Sequence, residues 1–458
     1  MGQILNFSSS MYQKFSVLVK KKIDKFNKTI KIPADKGLSV RSLLLASQCI
    51  GRSKIKNLLE SEDVLNCVKA LRILGVKIIK SNNVYIVYGN GLNSFSIKKK
   101  ITKIFVGNSG TVTRLLSGLL STHPGKFYLY GDSSMNKRDM SRVIQPLEKV
   151  GCFFYPKGKS TLPLTIEGTS MPLAQKHIEN SGSAQVKSLI LFSALSTPGI
   201  TTIEEKKISR NHSEIFLKKI NADIKVKKLK KGNLISLRGQ KDLYGFDYTV
   251  STDTSSSAYL VALTLLTPDS KLVIHNVLCN PTRIGFIKIL KKMNADIKIK
   301  NLKYISGEPV GSIFVKSSSL KTTNCPEGLV SSLIDELPIL FVISALTKGV
   351  TKFKAISELT VKESNRILEM KKVLTKIGIR CQTTKSSMII HGKKNIEVNN
   401  KLITVNTKLD HRICMSSVIL SLITGIKMKI KNFETVNTSF PGFISLIRSI
   451  GGKIEIKK

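Results

Sequence analysis

The chain has 458 residues, enough for two or three domains of ordinary size. Its 74 Lys and Arg against 30 Asp and Glu give a formal charge of +44, yet the lysines are scattered along the chain without an aromatic-rich platform. Because Lys, Ile and Asn also share AT-rich codons, we favour solvated basic faces and codon bias over nucleic-acid binding.

Cysteine usage and the N-terminus bear on localisation. The seven cysteines are odd in number and form no C-x-x-C pair, which argues against structural zinc or a disulfide framework and indicates a reducing compartment. No apolar run approaches the ~20 residues that span a bilayer, and the N-terminus lacks the pattern of a signal peptide. Met1-Gly2 starts like a myristoylation signal, but Asn6 stands where Ser or Thr is needed. We expect a soluble, cytoplasmic protein.

Six look-alike segments recur along the chain, and each has the pattern of an amphipathic helix end followed directly by a strand. The turn position always holds Gly or Asn, the types that a left-handed residue just past a helix selects. The segments, with their turn residues, are Leu71–Ile78 (Gly75), Leu147–Phe154 (Gly151), Leu217–Ile224 (Asn221), Leu290–Ile297 (Asn294), Leu374–Cys381 (Gly378) and Ile447–Ile454 (Gly451). So regular a recurrence predicts six copies of one αβ unit, and two domains of three units each are the simple partition.

Alternating apolar stretches predict further strands inside these units. They are Val84–Tyr88, Lys126–Tyr130, Ile200–Glu204, Leu272–His275 and Ile426–Ile430.

Two segments in the first part of the chain combine cations or glycines with the start of a helix. Pro33–Arg41 places Lys36 and Arg41 around a helix N-terminus, where backbone amides favour anions. Val106–Leu116 is a Gly-rich turn that enters a helix and suits close approach of an anionic ligand. Alone, the first is most often a surface feature, and the second is structural about half the time.

Two further segments follow in chain order. Gly131–Arg138 is a turn with a cation, and Ser181–Ser188 opens a helix with hydroxyls and an amide. Small polar residues at a helix start are also what ordinary capping uses.

The last three segments lie near the C-terminus. Ile334–Pro338 sets two acids before an apolar helix, which dipole complementation alone would explain. The spacing in Val361–Arg366 predicts a Lys and an Arg on one helical face with a Glu beside them, for which a surface ion pair is the alternative. Asp410–Ser416 puts a cation ahead of another buried helix.

Taken in order, these segments resemble those of the enolpyruvyl transferases, and specifically of the EPSP synthase (3-phosphoshikimate 1-carboxyvinyltransferase) family. The motifs are G-N-S-G-T, S-A-Q-V-K-S, N-P-T-R, G-E-P-V, I-D-E-L-P, V-K-E-S-N-R-I, D-H-R and T-S-F-P-G-F. The resemblance covers about residues 32–452.

The resemblance implies an α/β (α+β) fold, a two-domain inverted α/β barrel of six βαβαββ repeats. Residues 35–252 would form a continuous domain, and residues 1–34 plus 253–458 a discontinuous one. The chain would cross between them near Ala34 and Thr252, with the active site in the interdomain cleft.

The implied reaction transfers the enolpyruvyl group of phosphoenolpyruvate to the 5-hydroxyl of shikimate 3-phosphate and releases phosphate. These two small molecules would be the partners of a monomer, with no nucleic acid and no membrane. No cofactor and no metal are implied, and the His and Cys spacing offers no ligand pattern.

The resemblance also assigns site residues. Asp335 is implied as the base for the hydroxyl and Glu363, with Lys36, as the candidate at the carbon, although which group moves which proton stays open. The residues implied for shikimate 3-phosphate are Lys36, Gly37, Arg41, Ser183, Ala184, Gln185, Ser209, Asp335 and Lys362. Those implied for phosphoenolpyruvate are Lys36, Gly110, Arg138, Gln185, Arg366 and Arg412.

Several positions depart from the family pattern. Gly37 replaces a serine, Asn365 an aspartate and Thr438 a lysine that some members have. Asp139 replaces a proline, and a carboxylate next to Arg138 is expected to divert or partly neutralise that arginine. We expect an active but slow enzyme.

Two alternatives compete with this interpretation. The sibling that transfers the same group to a UDP-linked amino sugar is disfavoured by the S-A-Q-V-K and V-K-E-S-N-R segments and by the absence of a cysteine near Arg138. A non-catalytic relic kept as a basic binding protein would show strongly salt-dependent RNA binding.

Overall fold

The computed structural model describes residues 14–398 and 401–458. The first 13 residues of the predicted discontinuous domain, which include the N-terminal positions considered for processing, lie outside the described residues.

The described residues form short strands and helices in alternation. The strands are β1 (Ser16–Val19), β2 (Asn27–Ile30), β3 (Ile50–Lys56), β4 (Lys77–Ser81), β5 (Val84–Asn90), β6 (Thr102–Phe105), β7 (Gly125–Tyr130), β8 (Phe153–Tyr155), β9 (Leu164–Gly168), β10 (Lys176–Glu179), β11 (Ile200–Glu205), β12 (Asp223–Lys228), β13 (Asn233–Arg238), β14 (Asp247–Thr249), β15 (Lys271–Leu278), β16 (Ile297–Ile305), β17 (Glu308–Lys316), β18 (Gly349–Phe353), β19 (Arg380–Thr383), β20 (Met388–Gly392), β21 (Ile403–Asn406), β22 (Met428–Lys431) and β23 (Ile454–Lys457). The α-helices are α1 (Lys36–Ser47), α2 (Glu62–Ile73), α3 (Gly110–Leu120), α4 (Ser141–Glu148), α5 (Ala184–Ala194), α6 (His212–Lys219), α7 (Thr254–Leu266), α8 (Gly285–Lys292), α9 (Val330–Leu333), α10 (Leu337–Ala345), α11 (Arg366–Lys376), α12 (His411–Thr424) and α13 (Phe443–Ser449).

The strands of the described residues form six small sheets, five of four strands and one of three. The four-stranded sheets share one plan, seen in the order β6-β7-β9-β8, where a parallel pair is followed by two antiparallel pairings. The three-stranded sheet β18-β20-β19 keeps the antiparallel part of the plan. The predicted mixed α/β class with six repeated units is confirmed.

The six predicted turn residues all adopt the left-handed conformation. Their φ angles are 86° at Gly75, 110° at Gly151, 59° at Asn221, 67° at Asn294, 79° at Gly378 and 101° at Gly451. In every repeat the helix ends just before this residue and a strand begins after it, so the sequence pattern corresponds to one local structure used six times.

Strands from distant parts of the chain complete the sheets. β1 pairs with β22 and β23 near the C-terminus, and β2 runs parallel to β15. β14 runs parallel to β3, which precedes it by about two hundred residues. The start of the chain therefore contributes strands to the sheets of the fourth and sixth repeats, and β14 completes the sheet of the first.

Two hydrophobic clusters form the interior. The middle cluster contains buried residues from Ala34 to Val250, with Leu278, and the terminal cluster contains residues from Val17 to Ile32 and from Ala258 to Ile454. Helices α1, α3 and α5 pack in the first cluster and α7, α10 and α12 in the second. These central helices are apolar on nearly every side, as helices buried all round must be.

Within residues 14–398 and 401–458, no single helix is long and apolar enough to cross a membrane, although the pair Glu327–Leu333 and Leu337–Ala345, bent by 118°, has the length and composition for it when the two helices are taken together.

Candidate active site at the starts of six buried helices

The six central helices begin at one cleft. This cleft has a volume of about 960 Å³ and is lined by residues of both clusters. Residues at the N-terminus of each central helix line it: Lys36, Gly110, Ala184, Asp253, Asp335 and His411. Because a helix N-terminus carries partial positive charge and unpaired N–H groups, six of them in one place favour anionic ligands.

Every predicted site residue but one lines this cleft. The exception is Ser209, which is buried and donates its hydroxyl to Glu205 Oε1 at 2.6 Å. Its backbone N–H donates to the same oxygen at 2.9 Å, so Ser209 holds the loop behind the cleft wall.

Two cations of α1 form one wall. Lys36 Nζ lies 2.9 Å from Asp63 Oδ2, an almost fully buried carboxylate. Arg41 donates from Nε to Ser213 Oγ at 2.8 Å and from Nη2 to Ser188 Oγ at 2.9 Å. Burial lowers the pKa of Arg41 to about 10, so the guanidinium stays charged at neutral pH.

Gly110 leaves room for two arginines at the start of α3. A Cβ built on Gly110 would lie 2.7 Å from Arg114 Nη1 and 3.0 Å from Arg138 Nη1. Arg114 donates to the amide oxygen of Gln185, and Arg138 donates to that of Asn108. Burial, with repulsion from Arg138, lowers the pKa of Arg114 to about 10. Two positive charges thus stand side by side without an intervening side chain.

Asp335 lies among cations from both clusters. It accepts a hydrogen bond from Arg210 Nη1 at 2.7 Å, and Arg366 Nη1 and Arg412 Nη2 lie 3.6 Å and 3.8 Å from its two oxygens. Burial alone would raise the pKa of Asp335, but Arg210, Arg412, Lys362 and Arg366 together hold it well below its usual range. The proton affinity of this carboxylate therefore depends on how many cations remain close to it.

Glu363 has a similar environment. It accepts from Arg366 Nη2, and Arg138 Nη1 lies 3.9 Å from its other oxygen. Burial would raise the pKa of Glu363, but Arg366 and Arg138 hold it well below its usual range. Arg366 is itself fixed by Asp410, which accepts from its Nε at 2.8 Å and also caps α12.

The segment 361–366 is not the single helix that its spacing predicts. A 3-10 helix, Ser357–Val361, ends before Lys362, and α11 begins only at Arg366. The side chain of Asn365 accepts a backbone N–H of the first turn at 3.2 Å. The prediction is wrong because asparagine favours a cap over a helix interior.

The expected effect of Asp139 on Arg138 is also wrong in this structure. The carboxylate of Asp139 accepts from the backbone N–H of Ser141 at 3.1 Å and from its hydroxyl. Partial burial would raise the pKa of Asp139, but these hydrogen bonds lower it. The local turn at the start of α4 takes up the charge, and the carboxylate near Arg138 is Glu363.

The two remaining departures from the family pattern, Gly37 and Thr438, have different environments. Gly37 lines the cleft, and a Cβ built there would lie 3.2 Å from both Arg41 Nη1 and Asp35 Oδ1. Thr438 is buried and donates its hydroxyl to Thr435 O at 2.7 Å.

Several cleft residues were not found from the sequence. Arg210 follows Ser209 directly, and Arg114 lies one helical turn after Gly110, so both stand in segments that held a signal. Asp63 lies in no recognisable motif. Burial and nearby cations hold the pKa of the His411 imidazole well below its usual range, so it is neutral.

The family model of EPSP synthase (3-phosphoshikimate 1-carboxyvinyltransferase) matches residues 20–447 of the chain. The chain belongs to the EPSP synthase family. Among its relatives, the 3-phosphoshikimate 1-carboxyvinyltransferase of Acidiphilium cryptum is 37% identical over 93% of this chain and 95% of the relative. That of Endomicrobium trichonymphae is 38% identical over 94% and 98%.

A solved structure of EPSP synthase from Acinetobacter baumannii has the same fold, with a TM-score of 0.82 and 34% identity over 97% of this chain and 100% of the other. The protein therefore has EPSP synthase activity in the shikimate pathway, which leads to the aromatic amino acids. The match is to EPSP synthase and not to the sibling specific for a UDP-linked amino sugar. Its substrates are shikimate 3-phosphate and phosphoenolpyruvate.

Proposed function

We propose that Asp335 takes the proton of the 5-hydroxyl of shikimate 3-phosphate, and that Glu363 acts with Lys36 at the methylene carbon of phosphoenolpyruvate. In the addition step the hydroxyl oxygen bonds to C2 of phosphoenolpyruvate while C3 gains a proton and becomes a methyl group. In the elimination step that methyl group loses a proton and phosphate leaves, which restores the double bond. The two reaction steps together need a base, a proton donor and a second base.

Binding is proposed to divide between two sets of residues. Shikimate 3-phosphate is held by Lys36, Gly37, Arg41, Ser183, Ala184, Gln185, Ser209, Asp335 and Lys362. Phosphoenolpyruvate is held by Lys36, Gly110, Arg138, Gln185, Arg366 and Arg412. Both ligands carry phosphate and carboxylate, which arginine can bind in a bidentate manner. Because the hydroxyl of Ser209 is already bonded to Glu205, its replacement by alanine should weaken binding less than loss of Arg41.

Substrate binding itself would prepare the carboxylates for proton transfer. Arg366 and Arg412 contact Asp335 only at 3.6 Å and 3.8 Å, distances that an incoming anion can outcompete. As these cations turn to phosphoenolpyruvate, the pKa of Asp335 rises from its depressed value and the carboxylate becomes a better base. The same exchange at Arg138 and Arg366 raises the pKa of Glu363.

The observation that carries the proposal is the set of ion pairs that joins Asp335 and Glu363 to four arginines in one cleft: Arg138, Arg210, Arg366 and Arg412. The test measures phosphate release with both substrates, with each alone, and with an Asp335→Ala variant. We expect release only with both substrates and a loss of about 10²-fold or more in kcat in the variant.

A matched control is Glu369→Ala, which removes a carboxylate of α11 that pairs with Lys372 outside the cleft. It should keep the parent kcat. Parent-like phosphate release by a folded Asp335→Ala protein would remove Asp335 from the mechanism.

We also propose a domain organisation, a cellular location and an oligomeric state. Residues 35–252 are taken as one domain and residues 1–34 with 253–458 as the other, because the two hydrophobic clusters divide near these positions. A cytoplasmic location accords with the seven free cysteines, six of which are buried, and we propose that the protein is a monomer. Light scattering coupled to size exclusion at micromolar concentration checks the monomer, since a dimer would double the measured mass.

A further inference from the structure

Two motifs of the sequence have no part in the proposed chemistry. N-P-T-R is the segment Asn280–Arg283 between β15 and α8, and G-E-P-V begins β17 with Glu308. Asn280, Arg283 and Glu308 are all buried, and Arg283 lines the cleft. Buried charged groups of this kind persist only where they have partners.

Arg283 connects the caps of two central helices. Its Nη2 donates to Asp253 Oδ1 at 2.9 Å and lies 3.1 Å from Asp35 Oδ2. Asp35 caps α1 by accepting from Leu38 N at 2.8 Å, and Asp253 caps α7 by accepting from Ser255 N at 2.9 Å. One guanidinium therefore ties the start of α1 in the middle cluster to the start of α7 in the terminal cluster.

The same two aspartates lie where the chain passes between the clusters. Asp35 N donates to Ser251 O at 2.8 Å, and Asp253 N donates to Pro33 O at 3.0 Å, around an isolated β-bridge. The two crossings are therefore joined by backbone hydrogen bonds, and the ion pairs of Arg283 act at that junction.

The carboxylates depend on this cation. Burial and the neighbouring Asp35 raise the pKa of Asp253 to about 6, against the opposing effect of Arg283. Burial would also raise the pKa of Asp35, but Arg283 and His212 lower this pKa to about 2. Removal of Arg283 alone would leave two buried acids without their main counter-charge.

The other two buried residues of these motifs, Asn280 and Glu308, contact the start of α6. Asn280 Nδ2 lies 2.8 Å from both Asn211 Oδ1 and Glu308 Oε2, and His212 Nδ1 lies 2.8 Å from Glu308 Oε1. Arg210, which donates to Asp335, directly precedes these residues. The junction therefore touches the middle cluster at α1 and at α6.

We propose that Arg283 is a positioning residue for the reaction, because it fixes the start of α1, and with it Lys36, relative to Asp335. Lys36 is the residue next to the Asp35 cap, so a displaced cap moves its ammonium directly. Arg41 lies on the same helix and donates to Gly37 O at 3.2 Å, but it is also anchored to Ser188 and Ser213 inside the middle cluster, so it should depend on Arg283 less than Lys36 does. This inference rests on the role proposed above for Lys36.

The test uses two variants of the full chain. Arg283→Lys keeps the charge but loses the planar fork, and the double variant Arg283→Gln with Asp253→Asn removes both charges while asparagine retains a capping oxygen. We expect kcat to fall at least about tenfold, since small displacements of reacting groups are costly. The calorimetric Kd for shikimate 3-phosphate alone should rise by a smaller factor than kcat falls, because Lys36 is only one of the residues proposed to hold this ligand.

Controls separate this inference from the proposed function. Arg448→Lys, where Nε and Nη2 donate to Ile454 O outside the cleft, should leave kcat unchanged. Lys36→Met with parent-like kcat would refute the role of Lys36 itself. Loss of activity in Lys36→Met, together with parent-like kcat in both Arg283 variants, would overturn only the positioning role. A loss of shikimate 3-phosphate affinity in proportion to kcat would also overturn it.

Discussion

At the residue scale, Gly110 acts through the space that it leaves empty. It stands in the first turn of α3, where any side chain would meet the guanidinium groups of Arg114 and Arg138. Both obstacles are ends of flexible side chains, so an added methyl group displaces the arginines and leaves the helix intact. We expect Gly110→Ala to raise the KM for phosphoenolpyruvate about tenfold, equivalent to ~1.4 kcal/mol. Steady-state kinetics at saturating shikimate 3-phosphate measures this.

The control for that prediction lines the same cleft. A Cβ built on Gly328 would have no neighbour within 4 Å, so Gly328→Ala should leave the KM unchanged. An equal rise of KM in both variants would show that the effect at Gly110 is not caused by crowding of the two arginines.

At the scale of elements, Lys187 shows how a buried charge fixes the wall of the cleft. Its ammonium lies 2.7 Å from Glu205 Oε1 and 2.6 Å from Glu214 Oε1, so α5 is tied to β11 and to α6. Glu205 also accepts the backbone N–H and the hydroxyl of Ser209. The loop that leads to Arg210 is therefore anchored by the buried ion pairs of Lys187 with Glu205 and Glu214.

Lys187→Met should destabilise the protein, because removing one partner of a buried ion pair costs about 3–5 kcal/mol. Burial would raise the pKa of Glu205, but Lys187 brings it below its ordinary value of 4.5. A depressed carboxyl pKa stabilises the fold above the unfolded pKa, and this stabilisation is lost as pH falls through the folded pKa. The difference in unfolding free energy between parent and variant should therefore be largest near neutral pH and shrink below about pH 4.5.

Urea unfolding followed by circular dichroism at several pH values checks this. A difference that stays constant from neutral pH to about pH 3.5 would contradict the assignment to the carboxylates. Lys187→Met with Glu205→Gln should recover part of the loss, since one unpaired charge is removed.

Elements were predictable from the sequence wherever their cause was local. The six helix ends required a left-handed residue, and Gly75 or Asn221 reports that requirement without any tertiary information. The single helix predicted over residues 361–366 is absent because Asn365 caps α11 instead of lying inside a helix. The predicted effect of Asp139 on Arg138 is absent for a similar reason, since Asp139 bonds to Ser141 only two residues away.

At the scale of the whole molecule, the family resemblance gathered distant residues into one site but did not identify all of their contacts. The contact between Arg210 and Asp335 joins positions 125 residues apart, and the pair Lys36 and Asp63 depends on the packing of α1 and α2. Such contacts follow from how helices pack within a cluster and how the two clusters meet, which no local spacing encodes. The ordered motifs predicted that Lys36 and Asp335 share a site because the motifs come from chains with the same fold, but they did not identify Arg210 or Asp63.

The two sides of the cleft also meet at an exposed ion pair. Arg142 Nη1, at the start of α4, lies 2.7 Å from Glu358 Oε1 in the 3-10 helix Ser357–Val361, and the two side chains are 46% and 28% exposed. A second contact joins the two clusters, where Ser331 Oγ donates to Ile208 O at 3.0 Å. Because these contacts join the two sides of the cleft, we expect the ion pair to favour the closed cleft.

The strength of the Arg142–Glu358 ion pair limits how much its loss can change substrate binding. Exposed ion pairs contribute about 0.2–1 kcal/mol, so Arg142→Gln should raise the KM for phosphoenolpyruvate by no more than about fivefold, with kcat unchanged. Because salt screens exposed charges, the effect should disappear at about 0.5 M salt. The double variant with Glu358→Gln should be no worse than either single variant. An increase in KM that persists at high salt would instead make Arg142 a direct contact of the substrate.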